Sequence, residues 1–203
     1  MASLPTRIEV YEDGIVDFFR WRTGLDYYMT IDRAVFALNL AGRKAFRGHI
    51  YSFDTNITLL ERAKQRAVQL NLDDTVEFRP FREQNIPVAS GYGDVAVSIF
   101  DFHRHPPEQY LTEILRVLAP NGHLILAEMV ESKASKNPWV LMLKKLQMKY
   151  LKKNEAEAEA VYYDQEEIIA MLFKAGFRQV IVQGLNVPTS TYSGVFCLIT
   201  ATK

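Results

Sequence analysis

The sequence predicts an α/β fold, a mostly parallel seven-stranded sheet with helices on both faces and an antiparallel last strand. Three observations predict it. Short apolar runs alternate with amphipathic stretches, and strand–helix alternation produces a parallel sheet. Residues 94–100 (DVAVSIF) are almost continuously apolar, as a central strand covered on both faces must be. The last two runs, residues 180–184 and 195–201, follow each other with no helical stretch between, which reads as a hairpin-like pair.

The elements follow in order. Residues 14–22 form a short predicted helix, and residues 25–31 (LDYYMTI) the first strand. Residues 34–46 place Val35, Leu38, Ala41 and Ala45 at helical spacing, and Gly48 ends that helix. Residues 49–53 (HIYSF) are the second strand, closing on Asp54. Residues 58–70 carry Leu59, Leu60, Ala63, Ala67 and Leu70 on one side of a helix, with Arg, Lys and Gln on the other. Asn71 to Asp74 stop it, and residues 75–78 form the third strand. A loop over 80–93, with two prolines and a Gly91-Tyr92-Gly93 turn, leads into the central strand. Residues 106–118 form a helix whose first turn holds two prolines, tolerated where N–H groups have no helical partner. Pro120-Asn121-Gly122 is a turn, and residues 123–128 (HLILAE) are the fifth strand. A helix over 138–152 has Trp139, Met142, Leu143, Leu146 and Tyr150 on one stripe. Another, over 164–175, has Asp164 as N-cap, Glu167 three residues on and Gly176 at its end.

Composition bounds the function. At 203 residues the chain fits one domain, 1–203, with core enough to fold unaided. Lys plus Arg and Asp plus Glu both number 24, which excludes broad electrostatic binding to nucleic acid. The single cysteine, Cys197, excludes an internal disulfide and a thiolate zinc site. No basic-then-apolar leader opens the sequence, and no run approaches the roughly 18–20 apolar residues of a transmembrane segment. The expectation is a soluble, cytoplasmic protein. Composition does not separate a monomer from a homodimer or from one member of a protein complex.

Three segments carry a resemblance. Glu113-Ile114-Leu115-Arg116-Val117-Leu118-Ala119-Pro120-Asn121-Gly122-His123-Leu124 resembles a helix–turn–strand motif of the form E-hh-R-V-L-x-P-G-G-x-L. Asn121 stands at the first glycine, and asparagine is the usual substitute where φ is positive. His49 to Asp54, followed by Leu59-Leu60-Glu61-Arg62-Ala63-Lys64, is similar to a second strand ending in an acid. Glu77 to Pro87 ends in Ile86-Pro87, similar to an acid–small pair followed by L-P. Together these resemble the class I S-adenosylmethionine-dependent methyltransferase family, type 11-like, over residues 25–203.

The resemblance implies a Rossmann-like, doubly wound sheet and S-adenosylmethionine as cofactor. It places Asp54, with Thr55 beside it, on the cofactor's ribose hydroxyls, since a strand-end carboxylate accepts two hydrogen bonds from a vicinal diol. Asp54 could equally cap the following helix, with Thr55 or Asn56 competing for that position. Phe81, Arg82 and Glu83 fall near the adenine, although Arg82 stands where the family has its acid. The family's G-x-G-x-G cofactor loop falls on Thr30-Ile31-Asp32-Arg33-Ala34, where no glycine remains. Thr30, Asp32 and Arg33 then face the cofactor, Arg33 as a partner for its carboxylate.

The segment Phe100-Asp101-Phe102-His103-Arg104-His105 follows the central strand. In the family this region contacts the methyl acceptor, with Phe100 on the cofactor side. His103 and His105 are the candidate general bases, since histidine is the side chain suited to proton transfer near neutral pH. Both also read as surface or capping residues, and no metal site is expected. Residues 133–163 read as an insertion; its first part holds Lys133, Lys136, Lys144, Lys145, Lys149, Lys152 and Lys153 and no acid. In similar methyltransferases that position carries a substrate lid, which with Trp139, Met142 and Tyr150 implies an apolar or aromatic small substrate. A solvated helix packed on the sheet is the alternative, and a basic amphipathic helix also suits a membrane surface or an acidic partner. Two functions follow: a methyltransferase acting on a small molecule, or a degenerate domain that scaffolds a partner or binds another ligand.

Overall fold

The computed structural model describes Ile15 and residues 25–31, 34–43, 46–81, 85–131, 161, 163–185 and 194–203. The predicted helices at 14–22 and 138–152 therefore lie outside the described residues, apart from the helical, fully buried Ile15. The described elements are β1 (Tyr27–Ile31), α1 (Ala34–Ala41), β2 (His49–Asp54), α2 (Ile57–Gln69), β3 (Val76–Pro80) and β4 (Gly93–Ile99). A 3₁₀ turn (Phe102–Arg104) follows, then α3 (Pro107–Val117), β5 (Leu118–Glu131), α4 (Gln165–Ala175), β6 (Arg178–Leu185) and β7 (Gly194–Thr202).

The strands form a seven-stranded sheet in the order β3-β2-β1-β4-β5-β7-β6. β1 to β5 are mutually parallel, and β7 lies between β5 and β6, antiparallel to both. The doubly wound architecture and the antiparallel last strand are as the sequence predicts.

Alternating residues divide the core into two layers. Tyr28, Ile50, Val95, Val97, Ile99 and Ile125 pack with α1, α2 and Ile15. Met29, Ile31, Phe53, Ala96, Leu124 and Leu126 pack with α3 and α4 on the other face. The helical stripes differ from their predicted form. In α1 the residues facing out are Val35, 68% exposed, and Asn39 one turn on, while Ala34, Phe36, Ala37, Leu38, Leu40 and Ala41 are buried. The helix also stops before Gly42 rather than near Phe46, glycine being a poor helix former. In α2 the buried stripe is Leu60, Ala63 and Ala67; Leu59 and Leu70 face water.

The predicted turn at 120–122 becomes an excursion inside β5. Gly93 pairs with Leu118 and Val95 with His123, so the extra residues loop out. Asn121 has φ 64°, as expected for a glycine substitute. A Cβ on Gly122 would lie 2.9 Å from the Ala119 carbonyl oxygen and 3.2 Å from that of Asp94, backbone that cannot step aside. Left-handed backbone costs an ordinary residue about 1–2 kcal/mol. Asn121→Val is therefore expected to lose about that much stability in urea unfolding, and Asn121→Gly almost none. Equal stability of the two variants would contradict the assignment.

α4 is capped as predicted. The Asp164 carboxylate accepts from the Glu167 N–H at 2.8 Å, the Glu167 carboxylate accepts from the Asp164 N–H at 2.8 Å, and Gly176 closes the helix at φ 107°.

Candidate functional site

The chain winds outward from β1 through β2 to β3, then returns to β4 and continues through β5 in the other direction. The strand order reverses between β1 and β4, and open α/β sheets bind ligands outside the carboxyl ends of the strands at such a point. Five parallel strands bring their carboxyl ends to one edge. That edge holds the ends of β1 and β2 at Ile31 and Asp54, then Phe81 after β3, and Phe100 to His105 after β4. The register Ile99–Ala127 sets Glu128 of β5 level with Phe100.

Phe100 has φ 53° while its N–H donates to the Ala127 carbonyl at 2.9 Å. A bulky residue in that region is an outlier, and such strain concentrates at functional sites. It turns the chain out of β4 into the 3₁₀ turn that presents the histidines.

Each histidine meets a buried carboxylate. His103 Nδ1 lies 2.9 Å from Glu128 Oε1, and Glu128 is 2% exposed. The same oxygen accepts the Met129 N–H at 3.1 Å. His105 Nε2 lies 2.7 Å from Oδ2 of Asp101, which is 1% exposed. The His105 ring stacks on Tyr110, with centroids 4.7 Å apart and planes 6° apart. The Tyr110 hydroxyl lies 3.2 Å from Asp101 Oδ2 and 2.8 Å from Ser98 Oγ. His105 thus belongs to a network set into the second core layer, whereas His103 bridges the 3₁₀ turn and β5. Glu128 and Tyr110 carried no role in the sequence reading. The one local signal for Glu128 was a charge closing an otherwise apolar strand.

Asp54 is buried at the end of β2, and its Oδ1 accepts the Asn56 N–H at 2.8 Å. The capping position of α2 belongs to Asn56, whose side chain accepts from the Leu59 N–H. Asp54 shapes the turn into the helix without capping it. Thr55 is exposed beside it. Phe81 is packed into the second core layer with Tyr51, Phe53 and Ile86. Arg82 and Glu83 lie outside the described residues, as do Asp32 and Arg33.

Residues 30–34 divide between two elements. Thr30 and Ile31 end β1, and Ala34 opens α1. Thr30 is fully buried and paired with Ser52 and Val97. Alternation from Met29 and Ile31 directs it over the sheet face toward the α1–α2 layer. The hydroxyls of Thr30 and Ser52, opposite one another, have no hydrogen-bond partner among the described residues. Ala34 is buried in that same layer. Neither side chain stands across the strand ends.

The motif pair Glu113 and Arg116 is an anchor. Glu113 accepts the Ile86 N–H at 2.7 Å and pairs with Arg116 at 2.6 Å. Arg116 donates to the carbonyls of Ile86 and Val88 and to Ser90 Oγ. Burial pushes the Glu113 carboxyl up, but Arg116 and the Ile86 N–H overcome it and hold it below its ordinary value. Arg79, bonded to Glu77, donates to the Pro87 carbonyl from the other side. The Ile86-Pro87 segment is thereby fixed beside the end of β3. Among the described residues no group of three His, Cys, Asp or Glu side chains is placed to hold a metal ion, and no helix is long and apolar enough to cross a membrane.

Residues 33–126 match the family model described as a methyltransferase domain. No curated protein sequence matches the chain. Solved structures do. The geranyl diphosphate C-methyltransferase from Streptomyces coelicolor A3(2), in complex with Mg2+, geranyl diphosphate and S-adenosyl-L-homocysteine, is 14% identical with TM-score 0.76 over 97% of this chain and 78% of that one. A SAM-dependent methyltransferase from Aquifex aeolicus is 20% identical with TM-score 0.66 over 94% and 88%. The [4+2]-cyclase SpnF is 18% identical with TM-score 0.73 over 94% and 80%. At these identities the likeness is one of fold. The chain thus shares its fold with S-adenosylmethionine-dependent methyltransferases, and residues 33–126 are similar to a methyltransferase domain.

Proposed function

We propose that this protein is an S-adenosylmethionine-dependent methyltransferase acting on a small molecule, with Asp54 holding the cofactor's ribose and His103 removing a proton from the acceptor. The observation that carries the reading is His103 seated on buried Glu128 at the carboxyl edge. Asp54 lies on the same edge, three strands away in the order β2-β1-β4-β5, about 14 Å at ordinary strand spacing.

The residues fit the cofactor on two counts. The Asp54 carboxylate is buried at a strand end, and Thr30 and Ala34 turn into the sheet–helix layer. When bound, S-adenosylmethionine supplies a methyl group already activated on sulfonium. The chain then has to position the acceptor and take its proton. An acceptor that needs a base is a hydroxyl or a carbon acid, and the apolar stripe of residues 138–152 favours an apolar or aromatic one.

A second reading has its own support: residues 30–34 lack glycine, and the [4+2]-cyclase SpnF has a similar fold. On that reading the domain holds another ligand or scaffolds a partner. Calorimetric titration with S-adenosylmethionine and S-adenosylhomocysteine separates the two. The first predicts saturable heat with both compounds. No heat with either, together with a co-purifying small molecule in native mass spectra or a partner in pull-downs, would sink it in favour of the second.

A further inference from the structure

We propose that Glu128 is a positioning residue acting through His103, and that Glu128 and Asp101 hold the two histidines of this edge in opposite tautomers. The catalytic part of this proposal rests on the methyl-transfer reading above; the tautomer part does not.

The chemistry of the contacts leads to it. An ionised carboxylate can only accept hydrogen bonds. Glu128 Oε1 meets His103 at Nδ1, so Nδ1 carries the hydrogen and Nε2 carries the lone pair. Asp101 Oδ2 meets His105 at Nε2, so there the lone pair is on Nδ1. Two histidines separated by a single residue thus turn opposite nitrogens to their acids. The nitrogen that a carboxylate bonds decides which tautomer a histidine adopts.

Glu128 is well placed to impose this. It lies inside β5, is 2% exposed, and its Oε1 is shared with the Met129 N–H at 3.1 Å. The backbone therefore fixes the carboxylate oxygen to which the ring is bound. His103 is anchored at its other end, since its carbonyl accepts the Val161 N–H at 3.0 Å. His105, stacked on Tyr110 and joined to it through Asp101, serves the packing of the β4 end.

The proton transfer then balances. The acceptor's X–H proton passes to His103 Nε2. The electron pair left on X forms the bond to the methyl carbon. The pair of the breaking C–S bond stays on sulfur, which leaves as a neutral thioether. His103 becomes an imidazolium facing Glu128, whose negative charge favours that product. A neutral partner of the same shape would hold the ring without that charge.

Two measurements on the full chain test this. The chain has four histidines, so nitrogen-15 histidine labelling with long-range proton–nitrogen spectra, taken above the histidine titration range, is assignable from His103→Gln and His105→Gln. The expected result is His103 protonated at Nδ1 and His105 at Nε2. The same tautomer at both, or a rapidly exchanging mixture at His103, overturns the proposal. The second measurement uses tritiated S-adenosylmethionine with a panel of apolar phenols and 1,3-diketones. Glu128→Gln keeps both accepted hydrogen bonds and removes the charge. With any compound the wild type methylates, it should lower kcat about 100-fold and leave KM within about twofold. A Glu128→Gln protein with a lower Tm and unchanged kcat overturns the positioning role. A wild type that binds S-adenosylmethionine but methylates nothing in the panel overturns the proton-transfer role together with the reading it rests on. The tautomers then still decide whether Glu128 sets His103.

Discussion

Asp54→Ala is expected to weaken S-adenosylmethionine binding about 100-fold. A hydrogen bond to a charged group contributes about 1.5–3 kcal/mol. Two such bonds from a ribose diol, after the cost of desolvating the carboxylate, leave about 3 kcal/mol, or about two powers of ten in Kd. Asp54 also accepts the Asn56 N–H at 2.8 Å at the entrance to α2, so alanine loses a turn contact as well. Asp54→Asn separates the two effects. Its amide oxygen can still accept from Asn56 while the charge is gone. It should keep the wild-type melting temperature and still lose about tenfold or more in affinity. Calorimetry with a parallel melting curve checks both, and wild-type affinity in both variants would remove Asp54 from the cofactor site.

The other large effect is structural. Arg116→Ala should destabilise the fold by about 2–3 kcal/mol, about 5–10 °C in Tm. The change removes donors to the Ile86 and Val88 carbonyls and to Ser90, and leaves Glu113 with the Ile86 N–H alone. Breaking a partly buried pair in this way costs more than the pair contributes, because one charge stays behind. Urea unfolding measures it, and a loss under about 0.5 kcal/mol would show that the loop stands without its anchor.

A pH dependence follows from the same pair. Glu113 is held below its ordinary value of 4.5 in the folded chain. Folding therefore favours its ionised form. The stability this adds is present above the unfolded value and is lost as pH falls through the lower folded value. Wild-type stability should decline with acid more steeply than that of Glu113→Gln below about 4.5, seen as converging urea midpoints.

Much of the fold was legible because its signals are local. Seven apolar runs became seven strands, and the box of Asp164 and Glu167 with Gly176 marked both ends of one helix. Asn121 was readable as a left-handed residue from its neighbours Pro120 and Gly122. The stripes of α1 and α2 were less so. Periodicity finds an apolar face, but in α1 every residue except Asn39 is apolar, and that Val35 joins Asn39 on the outer side depends on what packs around the helix. The place of β7 between β5 and β6 was not readable either, since hairpin-like succession does not say which strand lies inside.

The candidate site divides along the same line. The strand-end acid Asp54, the two histidines and the absence of glycine from residues 30–34 are properties of the sequence alone. They follow from residue types at ends of apolar runs, which a chain displays before it folds. Only the tertiary structure decided that Asn56 caps α2 in place of Asp54, and that Thr30 stands over the sheet face. It also decided that His103 meets Glu128, 25 residues away. The physical reason is register. The face a strand residue takes and the carboxylate a histidine reaches depend on how β1, β4 and β5 align. That alignment is set by long-range packing, which no local pattern encodes.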